Sequence, residues 1–200
     1  MELDTLKALY VEGLKDLYSA ETQILKALPK MIKRTSHREL KRAFSLHERQ
    51  TRQQAKRLER ICKALGERPT GKKCVGMEGL IEEAQELIKE RPDPDVLDAG
   101  LIAAAQHVEH YEMAGYGTVR TYARQLGFAD QAELLQQTLD EEGETDKLLT
   151  RIAQTSVNID AEDGGDSEGG ARGGRGGRRG AAKKGGARKR GGAKKSRARR

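Results

Sequence analysis

The stretch AAQHVEHYEMAGYG, residues 104–117, sets two histidines, two glutamates and two tyrosines into a run that otherwise reads as helix. Its apolar residues continue on both sides at three- and four-residue intervals: Leu101, Ile102, Ala105, Val108, then Val119. That is the spacing of one helix face. Glu109, Glu112 and Tyr116 fall on the same face. The polar residues therefore interrupt an inner stripe, in a segment running over about 96–126 and closed by Gly127.

Three more long segments share this design. Residues 3–34 carry Leu14, Leu17, Ile24, Leu25 and Leu28 on one face, with Glu21 in an inner position and Pro29 expected to kink the helix near its end. The next segment ends at Leu65 before Gly66, with Ser36 as expected N-cap and Glu39 completing a capping box. Its stripe, Leu40, Ala43, Phe44, Leu58, Ile61 and Leu65, is interrupted by His47, Gln50 and Gln54. The last segment, 130–154, reads Leu135, Leu139, Glu142, Asp146 beside Thr145, Leu149 and Ile152. No strand alternation is found. A loop, the short helix GLIEEAQELIKE and the turn RPDPD separate the second and third long segments. The pattern predicts an all-α four-helix bundle with a long crossover between its second and third helices, containing a short extra helix.

Each of the four helices thus brings an acidic group or an imidazole into its inner stripe, near the middle. A buried carboxylate is unfavourable unless it is paired or bound to a cation. Glu21, Glu109, Glu112, Glu142 and Asp146 would converge with His47, and no Lys or Arg on these stripes balances them. Two divalent metal ions would supply the missing charge. A carboxylate-rich set with one imidazole suits iron or manganese better than zinc. Gln50, Gln54 and Tyr116 are expected around the ligands, and His110 either joins them or is exposed. Glu141 and Glu144 are alternatives to Glu142, while His37, Glu48 and His107 read as surface. Tyr18 and Tyr111 read as space-filling side chains. Tyr116 serves equally as a filler or as a donor to a ligand carboxylate.

These residues also carry a resemblance. DLYSAETQILKALPKM, KKCVGMEGLIEE, DAGLIAAAQHVEHYEMAGYGTVRTYARQLG and LLQQTLDEEGETDKLL resemble the YciE/YciF family of ferritin-like bacterial proteins, over about residues 3–153. The resemblance implies a ferritin-like bundle, usually dimeric, with a di-metal centre and a link to bacterial stress responses. The general ferritin-like pattern has Glu-x-x-His on two helices. This chain has His47-x-x-Gln50, Glu109-x-x-Glu112, and Glu142 followed by Asp146. The low nitrogen count speaks against ferritin-grade ferroxidase activity but not against metal binding.

Charge divides the chain. Of its 38 Lys and Arg, 14 lie in residues 171–200, which hold no acidic residue. The remaining 24 face all 31 acidic residues in 1–170, a net of −7. Three regions are expected: a bundle over 1–157, an acidic Gly-rich linker over 158–170, and a disordered basic tail over 171–200, too poor in large apolar side chains to offset the ordering of its backbone. The tail residues Arg172, Arg175, Arg178, Arg179, Lys183, Lys184, Arg188, Lys189, Arg190, Lys194, Lys195, Arg197, Arg199 and Arg200 are expected to bind DNA or another polyanion without reading sequence.

No apolar run is long enough for a bilayer, no secretory signal is expected from the opening residues, and Cys62 and Cys74 read as free thiols. These features point to the cytoplasm, and the tail to the nucleoid. Three functions stay open: a di-iron or di-manganese oxidoreductase tethered to DNA, a non-enzymatic nucleoid-binding dimer whose bundle is structural, or a metal-dependent oxidase acting on an organic substrate.

Overall fold

A computed structural model describes residues 4–166 of the 200. The basic tail, and the linker beyond residue 166, lie outside the described residues. The described chain is helical: α1 (Leu6–Arg34), α2 (Arg38–Ala64), α3 (Val75–Glu90), α4 (Pro94–Gln125), α5 (Ala129–Ile152), a π-helical turn (Ala153–Val157) and α6 (Asn158–Asp166). Among the described residues no helix is long and apolar enough to cross a membrane.

Helices α1, α2, α4 and α5 form the bundle. Side-chain pairs fix their directions. Lys15 meets Glu67 and Tyr18 meets Glu59, so α1 and α2 run antiparallel. Gln54 meets Glu141 and Arg151 faces Glu39, so α2 and α5 do too. Gln106 meets Thr150 and Arg120 meets Gln136, which pairs α4 with α5 in the same sense. Gly13 lies against Val119 and Gly115 against Leu17 across the α1–α4 contact, so that pair is antiparallel as well. The diagonal partners α2 and α4 are therefore parallel. The chain leaving α2 must return along the bundle before α4 can start, which is why the crossover is long. α3 lies in that crossover against α1 and α4.

Two glycines let α1 and α4 approach. A Cβ on Gly13 would sit 2.7 Å from Val119 Cγ1, and one on Gly115 would sit 2.8 Å from Leu17 Cδ2. Gly66 (φ 72°) and Gly127 (φ 77°) end α2 and α4 in the left-handed region. In both, the following N–H reaches back across the last turn: Glu67 to Cys62 O and Phe128 to Ala123 O, each at 2.9 Å.

The start of α2 differs from expectation. His37, not Ser36, is the N-cap, and its Nδ1 accepts from Leu40 N at 3.4 Å. Ser36 turns instead to the buried Asp98 of α4. That carboxylate accepts the Ser36 hydroxyl at 2.5 Å, the Ser36 N–H at 3.1 Å and the His37 N–H at 2.6 Å. Asp98 takes all three donors at once, whereas Glu39 in a capping box would take only the Ser36 N–H. Asp98→Ala should leave them unsatisfied and lower stability by about 2–4 kcal/mol, a melting temperature lower by about 5–12 °C. Thermal unfolding followed by circular dichroism checks it, and a loss under about 1 kcal/mol would show the contact to be dispensable.

Pro29 lies inside α1, which continues to Arg34 as expected. In contrast, α5 does not stop at residue 154. The π-helical turn buries Ala153 and Val157, and helix continues through Asp166. The apolar side chains of that turn pack with Leu149 and Ile152, which carries the helix into a segment whose composition alone reads as spacer.

The core forms two apolar clusters. One gathers Ile24, Leu28, Phe44, Leu97, Leu101 and Leu149; the other gathers Tyr10, Leu14, Leu58, Ile61, Val119 and Leu135. The buried polar residues of the bundle middle fall between these sets along every helix.

Candidate metal centre

That middle layer contains Glu21 of α1, His47, Thr51 and Gln54 of α2, Glu109 and Glu112 of α4, and Thr138, Glu142 and Thr145 of α5, all buried. The helix periodicity that buries Leu17 and Ile24 also buries Glu21 between them, and the same logic places the others.

His47, Glu109, Glu112 and Glu142 form a compact group: each offers one ligand atom, and all four atoms lie within 4.8 Å of one another. His47 Nε2 is 3.4 Å from Glu109 Oε1, and its Nδ1 is 4.0 Å from Glu142 Oε2. Glu21 adjoins the group from α1, and its Oε1 accepts the Tyr116 hydroxyl. The Oε2 of Glu21, the Nδ1 of His47, and both carboxylate oxygens of Glu109, Glu112 and Glu142 have no hydrogen-bond partner.

The electrostatics follow from burial. It holds the carboxyls of Glu21, Glu109 and Glu112 well above the usual range, and neighbouring carboxylates push the same way. Burial also raises Glu142, to about 7. The His47 imidazole is pushed down to about 4, again by burial, so it is neutral at ordinary pH and keeps a lone pair for coordination. Tyr116 is held protonated by burial and by the charge of Glu21, which suits a donor to that carboxylate.

Buried polar atoms are normally satisfied. With this many unpartnered oxygens beside one imidazole, the buried His/Glu group could hold a metal ion. The nearby guanidinium of Arg57 does not take that place. It is engaged by Glu141 in a two-pronged pair at 2.7 Å, and Gln54 Nε2 donates to the same carboxylate at 3.0 Å.

Other expected residues lie elsewhere. Asp146 is not in the inner layer. It is half-buried at the α4–α5 edge, accepts from Gln106 Nε2 at 2.9 Å and faces the exposed His110 at 3.4 Å. The inner position of that turn is taken by Thr145. Gln50 is half-buried, and the buried step after His47 is Thr51. Gln54 is buried beside the layer, with its Oε1 unpartnered. Glu144 and His107 are exposed, and Glu48 pairs with Arg52 on the surface of α2. Tyr18 donates to Glu59.

Tyr111 faces away from the layer, where its hydroxyl donates to Asp16 at 3.0 Å and lies 2.9 Å from the Cys74 thiol. Both cysteines are free and buried, and burial pushes Cys62 up to about 11 and raises Cys74 as well. Neither is an activated nucleophile. Local spacing does not signal the Arg57–Glu141 pair or the Asp98 contact, because each joins residues more than 60 positions apart.

Comparison with known proteins agrees with this architecture. The chain is 45% identical to the protein YciF of Escherichia coli over 163 residues, which cover 81% of this chain and 98% of that protein. The crystal structure of that E. coli stress protein superposes with a TM-score of 0.75 at 44% identity, over 78% of this chain and 99% of the other. YcfI of Rhodopseudomonas palustris matches with a TM-score of 0.72 at 42% identity, covering 74% and 95% of the two chains. A protein of Xanthomonas campestris, 21% identical with a TM-score of 0.63, shares the fold over 80% of this chain and 99% of its own. The family model described as a domain of unknown function, DUF892, matches residues 5–162. With the bundle, its crossover and the polar layer all inside the matched span, the chain belongs to the DUF892 family of YciF-like proteins.

Proposed function

We propose that this chain is a stress-response protein whose bundle binds two divalent metal ions, iron or manganese, at the polar layer and acts on oxygen or peroxide. In this reading the basic tail holds a homodimer on DNA. The observation that carries it is the set of unpartnered buried oxygens on Glu21, Glu109, Glu112 and Glu142, arranged around one neutral imidazole. Four ionised carboxylates would be neutralised by two divalent cations, and this oxygen-rich donor set matches iron or manganese. The stress assignment is supported by the E. coli relative, itself called a stress protein.

When bound, such ions supply redox chemistry with oxygen or peroxide. The protein's part is positioning and exclusion of bulk water. His47, Glu109, Glu112 and Glu142 would hold the ions. Glu21 is oriented by the Tyr116 hydroxyl, and the Arg57–Glu141–Gln54 contacts fix the α2–α5 edge beside them. Both apolar clusters close the layer above and below.

Metal analysis of protein purified without chelator tests the site. About two ions per chain are expected, falling sharply in the Glu21→Ala, Glu142→Ala double variant. Fewer than about 0.2 per chain in wild type, unchanged in the variant, would remove the site from consideration. The tail is tested by gel shift with full-length protein and with a chain ending at residue 170. Truncation should remove most DNA affinity and its steep dependence on salt. Equal affinity for both chains would refute the tail's role. Bound metal without oxygen or peroxide consumption, alongside tail-dependent DNA binding, would favour the non-enzymatic nucleoid-binding reading.

A further inference from the structure

Under α3, between that helix, α1 and α4, lies a narrow cavity of about 40 Å³. At its outer side are the exposed Lys30 and the half-buried Ala27 and Gln85; at its inner side are His47 and Glu109 of the polar layer. Between them the wall is Ile24, Leu28, Ile81, Ala84, Ala105 and Val108. The crossover helix supplies part of this wall, so the passage exists only because α3 packs on α1 and α4.

The lining and the size select what can occupy it. A metal ion would shed its water there with almost no oxygen or nitrogen atom to replace it. Hydrogen peroxide, with two donors and several lone pairs, would likewise give up its hydrogen bonds to an aliphatic wall. An organic substrate needs a cavity roughly ten times larger, since pockets for such molecules are about 300–1,000 Å³. A small uncharged apolar diatomic satisfies both limits. We propose that the apolar cavity between α1, α3 and α4 is a dioxygen site and route leading to His47 and Glu109. This rests on the proposed function and deepens it, by naming dioxygen as the oxidant that the fold admits from this side.

The test uses full-length protein and xenon, a probe of apolar gas sites that needs no metal. Crystals of metal-free protein pressurised with xenon should show the atom between Leu28, Ile81 and Ala105. It should be lost in Ala84→Leu, which fills the cavity from α3, and in Ala27→Leu, which fills it from the half-buried rim and is the safer variant for folding. In iron-loaded protein the same variants should slow dioxygen-dependent oxidation at least about fivefold. Oxidation by added hydrogen peroxide and the bound metal count should stay at wild-type values. No xenon in the wild-type cavity would overturn the proposal, as would wild-type dioxygen rates in folded variants that exclude xenon. Should metal analysis find no ions, the proposed function fails, and the xenon map still decides whether the gas site exists.

Discussion

Metal-free protein is expected to lose thermal stability as pH rises from about 5 to about 8, and to regain it when manganese(II) or iron(II) is added. Glu142 shows the sign. Its carboxyl is raised by burial to about 7 in the folded state, from an ordinary value of 4.5. Between those values the folded protein retains a proton that the unfolded chain has released. Stability therefore falls with rising pH across that window, and below it there is no loss. Glu21, Glu109 and Glu112 shift in the same direction and extend the loss upward.

The Glu142 shift alone corresponds to about 3 kcal/mol, or a melting temperature lower by about 6–12 °C for a domain of this size. Bound metal inverts the trend, because ligation takes the deprotonated carboxylates and affinity grows as protons leave. Melting curves with and without metal, across this pH range, check both halves. A flat metal-free profile would mean that the carboxyls are not shifted as their burial requires.

Replacing one layer carboxylate by its neutral isostere should separate stability from binding. Glu112 is fully buried and both its oxygens are unpartnered. Glu112→Gln should make metal-free protein more stable at about pH 8, by about 1–3 kcal/mol, because the amide is neutral without the proton that the buried carboxyl must take up on folding. The same variant should lose most of the melting-temperature gain produced by metal. Glu144→Gln, at an exposed position on α5, serves as control and should change neither quantity. A Glu112→Gln protein that melts lower without metal, yet gains as much from metal as wild type, would contradict both the buried-charge account and the ligand role.

The helix-face spacing that announced the bundle also announced its middle. Glu21, His47, Glu109, Glu112 and Glu142 could be read because a 3.6-residue period projects each onto the inside whichever helices turn out to be neighbours. Asp146 shows the limit of that projection. A four-residue step from Glu142 drifts about 40° around the helix. At the α4–α5 edge that drift is enough to bring Gln106 and His110 to Asp146 and leave Thr145 inside. Gln50 misses in the opposite sense: its three-residue step from His47 turns about 60° the other way, and Thr51, four residues on, is buried in its place.

Asp98 could not have been found from spacing. It lies near the start of α4, but its importance comes from Ser36 and His37 at the end of a different loop. The capping box expected at Ser36 is a local rule, displaced by a distant acceptor. The extension of α5 into α6 is similar: Ile152, Ala153 and Val157 find an apolar neighbourhood that the Gly- and Asp-rich composition after them does not advertise.

The polar layer between the two apolar clusters has one more consequence, for how the helices choose their alignment. Leucines and isoleucines tolerate being slid past one another, since any aliphatic contact resembles the next. The carboxylates do not. Moving α1 along α4 by one turn, about 5.4 Å, would separate Glu21 from the Tyr116 hydroxyl and press it among aliphatic side chains. A matching slip of α5 would carry Glu142 away from His47. The layer thus works as a registration mark: its polar members penalise every other alignment of the four helices and single out the one in which they meet.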